Sequence, residues 1–285
     1  MCRLFGFRSV IRSQVHRSLV LADNALGVQS ERHPDGWGVA YYVGGAPHLV
    51  KSAGAAISDS IFHRVSGVVA SKTVLAHVRK ATQGQHSSVN THPFQFGHWI
   101  FAHNGNIREF DELRDELLSR IHPELRRYIL GETDSEVLFY LLLTHMRHRG
   151  ELHAPWESGT LIECIEECVR EVTALTGPFS SNPDGSPDDT YLTFILTNGH
   201  TMAAHQGGKR LLYSTWKHRC SDRDICPSFA PACEAMSQTG VVNHLIFSSE
   251  PLQGDNVWLD MLPGQVVAVD ARMRMRTSGV FVPSI

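Results

Sequence analysis

The sequence lacks the features of a membrane-spanning or exported protein. None of its 285 residues falls in an apolar run that approaches the roughly 20 residues a membrane-spanning helix needs. The short apolar patch at the amino terminus is broken by Arg3 and Arg8, which is unlike the apolar core of a signal peptide. We therefore expect a cytoplasmic protein that does not enter a membrane.

A strong charge of either sign is also missing. The chain has 26 Lys and Arg against 29 Asp and Glu, a formal net charge of −3. Binding to nucleic acid or to an anionic membrane usually uses a basic field, which this composition does not supply. Neither partner is expected. Hydrophobic residues make up 42% and charged residues 19%, the proportions of a globular protein.

Cysteines are few and irregularly placed. Six cysteines in a chain of this length do not form the disulfide framework of a small secreted domain. Cys164 and Cys168 fall in a segment with helical periodicity, so burial explains them. The residues that could be imagined as zinc ligands are His218, Cys220, Cys226 and Cys233. The gaps between them fit none of the usual ligand spacings, so no metal or cofactor is expected. Cys2 is left without an explanation.

The order of secondary-structure signals is strands, then helices, then strands. Two hairpins are predicted, one around Gly44-Gly45 and one across Asn198-Gly199, and "TVLAHVR" and "HWIFAHNG" are strand-like. Helical periodicity follows in "REFDELRDELLSRI", "SEVLFYLLLTHM" and residues 159–177, and "GPFSSNPDGSPDD" is typical of a loop. Further strands are predicted in "KRLLYST", "HLIFSSEPL", "GQVVAVD" and "MRTSGVFV". This order predicts an α+β fold with largely antiparallel sheets, and residues 217–240 are interpreted as a surface excursion.

Polar residues interrupt the apolar runs in four stretches, where sites tend to be mounted. These stretches are Cys2, "LAHVRKATQG" with "NTHPF", "FAHNGNI", and "GETDSEV". Together with "DGWG" at 35–38 and "SSEPL" at 248–252, they resemble the class II glutamine amidotransferases, which are N-terminal-nucleophile (Ntn) hydrolases. The second stretch is most similar to their stand-alone branch, which includes the γ-glutamyl hydrolase of ergothioneine biosynthesis and a glutathione-degrading amidotransferase subunit.

The resemblance covers residues 2 to about 260 and implies the fold. That fold is an αββα four-layer sandwich, in which two antiparallel sheets face each other and helices lie outside. Residues 2–285 are expected to form a single domain after Met1 is removed. Periodicity alone agrees with this architecture but does not single it out.

Cys2 is the residue that the resemblance makes the nucleophile. Removal of Met1 would give one residue both a thiol and a free α-amino group, and the amine can act as base toward its own thiol. No histidine or aspartate partner is needed for this chemistry. The alternative is a small residue that follows the initiator methionine and packs in the core.

Asn104 and Gly105 resemble the oxyanion hole of the family. The asparagine amide and the glycine N–H would face the oxygen of a tetrahedral intermediate. Asn-Gly is also a common type I′ turn, but here a helix-like segment follows instead of a returning strand.

Three further residues are expected to bind the substrate head group. Arg79 would hold an α-carboxylate with its planar guanidinium, and Thr82 would add a hydroxyl or backbone contact. Asp134 would accept from the α-ammonium. Arginines and aspartates are usually solvated surface charges, and Asp134 also suits a helix N-terminus.

Some positions depart from the family pattern or have a structural explanation. Lys80 and Gln83 stand where amidotransferases fused to a synthase often have Trp and His, which puts ordinary glutamine specificity in question. We interpret three histidines in the motifs first as structural hydrogen-bonders, namely His77, His92 and His103. Trp37 is interpreted as part of the core or of the pocket wall.

The resemblance implies hydrolysis of a γ-glutamyl amide in a small molecule, either glutamine or a γ-glutamyl metabolite. Because the amidotransferase-like unit uses nearly all 285 residues, a synthase that receives ammonia would have to be a partner chain. Two alternatives stay open: a partner-dependent glutaminase subunit and a non-catalytic relative that binds γ-glutamyl ligands. A papain-like hydrolase is disfavoured because its "CGSCW" signature is absent.

Overall fold

Two antiparallel β-sheets form the centre of the computed structural model, which describes residues 2–80, 84–220 and 223–279. In chain order the strands of the described chain are β1 (Arg3–Gln14), β2 (Trp37–Val43), β3 (Ala46–Ser52), β4 (Ala70–Val78), β5 (Phe94–Phe96), β6 (Trp99–Asn106), β7 (Tyr191–Thr197), β8 (Met202–His205), β9 (Leu212–Ser214), β10 (His244–Ser248), β11 (Leu259–Asp260), β12 (Val266–Val269) and β13 (Met275–Thr277). The first sheet has the order β11-β9-β10-β1-β4-β2-β3, and the second has β13-β12-β8-β7-β6-β5.

The helices lie outside the sheets. They are α1 (Leu26–Gln29), α2 (Ser60–Val68), α3 (Phe110–Arg120), α4 (Pro123–Arg126), α5 (Asp134–Arg149) and α6 (Ser158–Thr176), with short helical turns at Arg17–Leu21, Ala56–Ser58 and Pro231–Cys233. Among the described residues, no helix has the length and apolarity that crossing a membrane would require.

Three buried clusters fill the spaces between four layers. Because successive side chains of a strand point to opposite faces, Leu4 packs between the sheets against Ile100 and Ile195, whereas Phe5 packs outward with Phe62 of α2. On the outer face of the second sheet, the ring of Phe101 stacks on Phe139 of α5 at 5.2 Å. The predicted αββα sandwich is therefore confirmed.

The structure confirms the local predictions that were based on turn residues or on the spacing of apolar residues. The hairpin β2–β3 turns at Gly44 and Gly45 with positive φ (59° and 86°), and the hairpin β7–β8 turns at Gly199, also with positive φ. The three predicted helices correspond to α3, α5 and α6, and residues 177–190 form a loop. The strand expected in "MRTSGVFV" is β13, and residues 280–285 lie outside the described residues.

Strand β1 is the element that positions the candidate site. It lies between β10 and β4 in the middle of the first sheet. Its antiparallel register with β4 pairs Arg3 with Val78, so the start of β1 meets the end of β4. The residues that directly precede β1 and follow β4, Cys2 and Arg79, are therefore brought side by side.

Candidate active site

Cys2 lies at the start of β1 against the backbone of Lys80. The Lys80 N–H donates to Cys2 Sγ at 3.3 Å, and the thiol lies 3.5 Å from the Lys80 carbonyl oxygen. The side chain is half-buried. Burial raises the pKa of the Cys2 thiol, whereas the Lys80 N–H and the charge of Arg79 oppose that rise. The thiol is thus the predominant form at neutral pH, and a nearby base is needed to make it a nucleophile.

Arg79 is buried and its backbone is pinned to the loop before β2. Its N–H donates to Gly36 O at 2.7 Å, and its carbonyl accepts from Asp35 N–H at 3.1 Å. The guanidinium Nη1 donates to Gln85 O at 3.3 Å. Burial lowers the Arg79 pKa, and Cys2, Asp35 and Asp134 counteract this effect. A buried guanidinium with a thiol and a carboxylate nearby suits the binding of an anionic group.

Asp134 is the first residue of α5 and is almost fully buried. One carboxylate oxygen accepts from Ile107 N–H at 2.8 Å, and the other accepts from Ser135 N–H at 2.7 Å. These bonds serve the helix N-terminus and also tie α5 to the residue that follows β6. Oδ1 also accepts from Ser135 Oγ at 3.2 Å. Oδ2 keeps a further lone pair, through which Asp134 can accept from a substrate ammonium.

Asn104 and Gly105 lie inside β6 and not in a turn. They pair with Thr193 and Leu192 of β7. The buried Asn104 Oδ1 has no partner among the described residues, and no bond joins the Asn104 amide nitrogen to another described residue. The amide of Asn104 is thus available to an external oxygen, as an oxyanion donor would be.

Gly105 occupies a position that admits no side chain. A Cβ built there would lie 2.0 Å from Tyr191 O and 2.2 Å from His103 Nε2. Real Cβ atoms do not approach other atoms that closely, so only glycine lets β6 keep this path. Tyr191 O of β7 and the His103 ring, which bond each other at 2.9 Å, both lie against the side of Gly105 where a side chain would project.

The motif histidines differ in their contacts. His103 bridges Ser135 Oγ and Tyr191 O, at 2.9 Å each, so its predicted role as a structural hydrogen-bonder is confirmed. The rings of His77 and His92 pack together at 4.3 Å, and no described residue bonds the ring nitrogens of His92. Burial, followed by the charge of Arg79, lowers the His77 pKa to about 3, so this ring is neutral. Trp37 is core, as predicted, and its Nε1 donates to Asp59 at 2.9 Å.

The structure thus places Cys2, Arg79 and Asp134 within electrostatic reach of one another, and Ile107 links Asp134 to the strand that carries Asn104 and Gly105. Thr82 and Gln83 lie outside the described residues. Two neighbours of the site have no role predicted from the sequence. Asp35 belongs to the "DGWG" motif, which carries the family resemblance, whereas His33 belongs to no motif.

A cavity of about 280 Å³ lies elsewhere, near the far half of β1. Its walls include Cys220, Cys226 and Cys233 from the excursion predicted at residues 217–240, together with Phe7 and His244. Cys2, Arg79 and Asp134 are absent from its lining. The excursion therefore borders a separate cavity, to which we assign no part of the chemistry.

Solved structures share the whole architecture. A glutamine aminotransferase class-II domain protein from Silicibacter pomeroyi matches 99% of this chain and 100% of its own, with a TM-score of 0.62 and 20% identity. Glutamine phosphoribosylpyrophosphate amidotransferase from Bacillus subtilis matches 99% of this chain and 50% of its own, with a TM-score of 0.60 and 17% identity. The fold is that of the Ntn hydrolases.

The family follows from the sequence match. The family model described as "Glutamine amidotransferases class-II" matches residues 1–278, and the chain belongs to this family. A putative glutamine amidotransferase of Haemophilus influenzae is 30% identical over 72% of this chain and 63% of its own length.

Two relatives represent the stand-alone branch that the sequence predicted. The γ-glutamyl-hercynylcysteine sulfoxide hydrolase of Mycobacterium tuberculosis is 38% identical over 38% of this chain and 50% of its own length. The probable glutamine amidotransferase DUG3 of Saccharomyces cerevisiae is 37% identical over 41% of this chain and 34% of its own length. The placement in this branch is confirmed. The chain spans less than two thirds of the length of these relatives and of the Haemophilus influenzae protein.

Proposed function

We propose that this protein hydrolyses a γ-glutamyl amide and that Cys2, exposed as the first residue by removal of Met1, is its nucleophile. The observation that carries the proposal is the convergence of Cys2, Arg79 and Asp134. Arg79 would hold the substrate's α-carboxylate, and Asp134 would hold its α-ammonium. A γ-glutamyl group bound in this way points its γ-carbonyl away from both charges. The reacting unit would be a single domain of residues 2–285.

The reaction would run in two steps. The α-amine of Cys2 removes the thiol proton, and the thiolate attacks the γ-carbonyl carbon to form a C–S bond. The C–N bond then breaks, and the leaving amine takes the proton from the α-ammonium. Water attacks the γ-glutamyl thioester next, the C–S bond breaks, and glutamate leaves with the Cys2 thiol restored. A metal or a histidine is not required in this sequence.

Asn104 and Gly105 would stabilise both tetrahedral intermediates. The side-chain amide of Asn104 and the backbone N–H of Gly105 would donate to the oxyanion that replaces the carbonyl oxygen. Losing one such donor typically raises the barrier by roughly 3–4 kcal/mol. The packing of Gly105 against Tyr191 O and His103 supports this role, because it fixes the strand before the substrate arrives.

The identity of the leaving amine separates two versions of the function. Release of ammonia from glutamine would make the protein a glutaminase subunit that serves a partner chain. Release of a larger amine would make it a hydrolase of γ-glutamyl metabolites. The M. tuberculosis relative, named as a hydrolase of such a metabolite, supports the second version.

The test is glutamate release by the purified, Met1-processed protein from glutamine and from several γ-glutamyl amides. Cys2→Ala is the blank, and intact mass verifies that Met1 is absent. We expect release that disappears in Cys2→Ala while the circular dichroism spectrum is unchanged. Equal release by Cys2→Ala would refute the proposed nucleophile. Retained Met1 with ligand binding but no turnover would instead indicate a non-catalytic relative.

A further inference from the structure

A buried asparagine joins the two segments that carry Arg79 and Asp134. Asn90 is 3% exposed, although the loop before it, residues 84–89, is largely exposed. It begins the "NTHPF" stretch, which has no part in the reaction proposed above. The polar atoms of a buried amide need hydrogen-bond partners, and the partners of this amide lie in two different segments of the chain.

The amide nitrogen of Asn90 bonds on the Arg79 side. Asn90 Nδ2 donates to Gln85 O at 3.1 Å, and Arg79 Nη1 donates to the same carbonyl at 3.3 Å. A carbonyl oxygen has two lone pairs, so it can accept both bonds at once. Because Gln85 itself lies in the exposed loop, the buried Asn90 amide helps to hold its carbonyl against the Arg79 guanidinium.

The amide oxygen of Asn90 bonds on the Asp134 side. Glu132 N–H donates to Asn90 Oδ1 at 3.0 Å, two residues before Asp134. Thr133, between them, caps α5 and accepts from Glu136 N–H at 3.3 Å. The bond to Asn90 therefore holds the residue that precedes the cap, and with it the helix start that carries the Asp134 carboxylate.

Glycines on both segments allow the chain to close around this amide. A Cβ added to Gly131 would lie 2.5 Å from Asn90 Oδ1. One added to Gly84, whose φ is +72°, would lie 3.0 Å from Asn90 Nδ2 and 3.1 Å from Thr133 Cγ2. The Asn90 amide is thus enclosed by the two segments, and its length sets the distance between them.

We propose that Asn90 is a positioning residue that fixes the spacing between the Arg79 guanidinium and the Asp134 carboxylate. The role rests on the proposed function, in which Arg79 binds the α-carboxylate and Asp134 the α-ammonium of one γ-glutamyl group. Both charges of that group are attached to a single α-carbon, so the two protein groups must keep a fixed distance. Asn90 acts through them and has no contact with the substrate.

Two ligands that differ only in the α-ammonium test this role. L-Glutamate, the product, has both charges of the head group, whereas glutarate lacks the ammonium. We expect calorimetric titration of the Met1-processed protein to give a Kd for glutamate roughly tenfold or more below that for glutarate, as one charged hydrogen bond provides. In Asn90→Ala this ratio should fall by roughly three- to tenfold, the coupling typical of one hydrogen-bond network. In turnover, KM should rise more than kcat falls.

Asn198→Ala is the control variant. Asn198 is also a buried asparagine, and its Oδ1 accepts from His200 N–H and Thr201 N–H at the β7–β8 turn. This variant should lose stability in urea unfolding but keep the wild-type ratio of the two Kd values. Gly84→Ala is a second test variant, because its Cβ presses on the Asn90 amide from the loop side, and it should also lower the ratio.

Two results would overturn different parts of this account. A wild-type ratio in folded Asn90→Ala, or in Gly84→Ala where Asn90→Ala does not fold, would overturn the positioning role and leave the proposed function intact. Wild type that binds glutamate no more tightly than glutarate would instead overturn the assignment of Asp134 to the α-ammonium, and the proposed function with it.

Discussion

Gly105→Ala is the substitution whose effect the structure defines most closely. The added Cβ would lie 2.0 Å from Tyr191 O and 2.2 Å from His103 Nε2, where ordinary contacts begin near 3.4 Å. Strand β6 must then move by more than about 1 Å, and a shift of that size in a catalytic group can cost roughly 100-fold in rate. Adding a methyl group to a packed site also costs about 1–3 kcal/mol of folding stability.

We therefore expect kcat to fall by roughly 10²–10³, as when an oxyanion donor is lost. KM should change less than kcat, because the bonds of Arg79 to Gly36, Asp35 and Gln85 do not involve β6. The assay is steady-state glutamate release, with urea unfolding to separate rate from stability. Gly159→Ala is the control, since a Cβ there meets only the end of Arg276 at 3.7 Å. Full kcat in Gly105→Ala would refute the role of this strand in stabilising the oxyanion.

Three other substitutions test the site and the fold. Arg79→Lys should raise KM at least tenfold with a smaller change in kcat, because an ammonium cannot form the bidentate pair; unchanged KM in steady-state kinetics would exclude Arg79 from substrate binding. Burial lowers the His205 pKa to about 4 from 6.5, so the unfolded chain binds this proton first and stability is lost as pH falls from about 6.5 toward 4. His205→Gln should make that loss shallower by about 1.4 kcal/mol per pH unit, measured by urea unfolding, and an unchanged slope would contradict the assignment. Asp59→Ala should cost about 1–2 kcal/mol in the same assay, because Asp59 accepts from Ile61 N–H at the start of α2 and from Trp37 Nε1; full stability would show that neither bond contributes.

Local signals in the sequence predicted much of the architecture. Gly44-Gly45 and Asn198-Gly199 marked hairpins because they supply turn conformations that other residues avoid. The three long helices were predicted from apolar residues at helical spacing. The helix-like segment after Asn104-Gly105 argues against a hairpin turn at these two residues, and the structure places both inside β6.

Strand β1 was not predicted, for a physical reason. Residues 4–9 are buried on both faces in the middle of a sheet, so the alternation of a half-exposed strand is missing. The pairing with β4 is also interrupted between Arg8 and Ser13. The register of β1 with β4 brings Cys2 to Lys80, which lies 78 positions away in the chain. A pairing over that distance leaves no pattern in the local sequence of β1.

The central claim is that Cys2 carries the γ-glutamyl group during turnover. The most direct measurement is to quench the reaction with acid during steady-state turnover and to analyse the amino-terminal peptide by mass spectrometry. We expect this peptide to begin at Cys2 and a fraction of it to carry one γ-glutamyl group on the thiol. Asn104→Ala, with slower turnover, provides a second sample. Turnover with no γ-glutamyl adduct on Cys2, or with an adduct on another residue, would contradict this account.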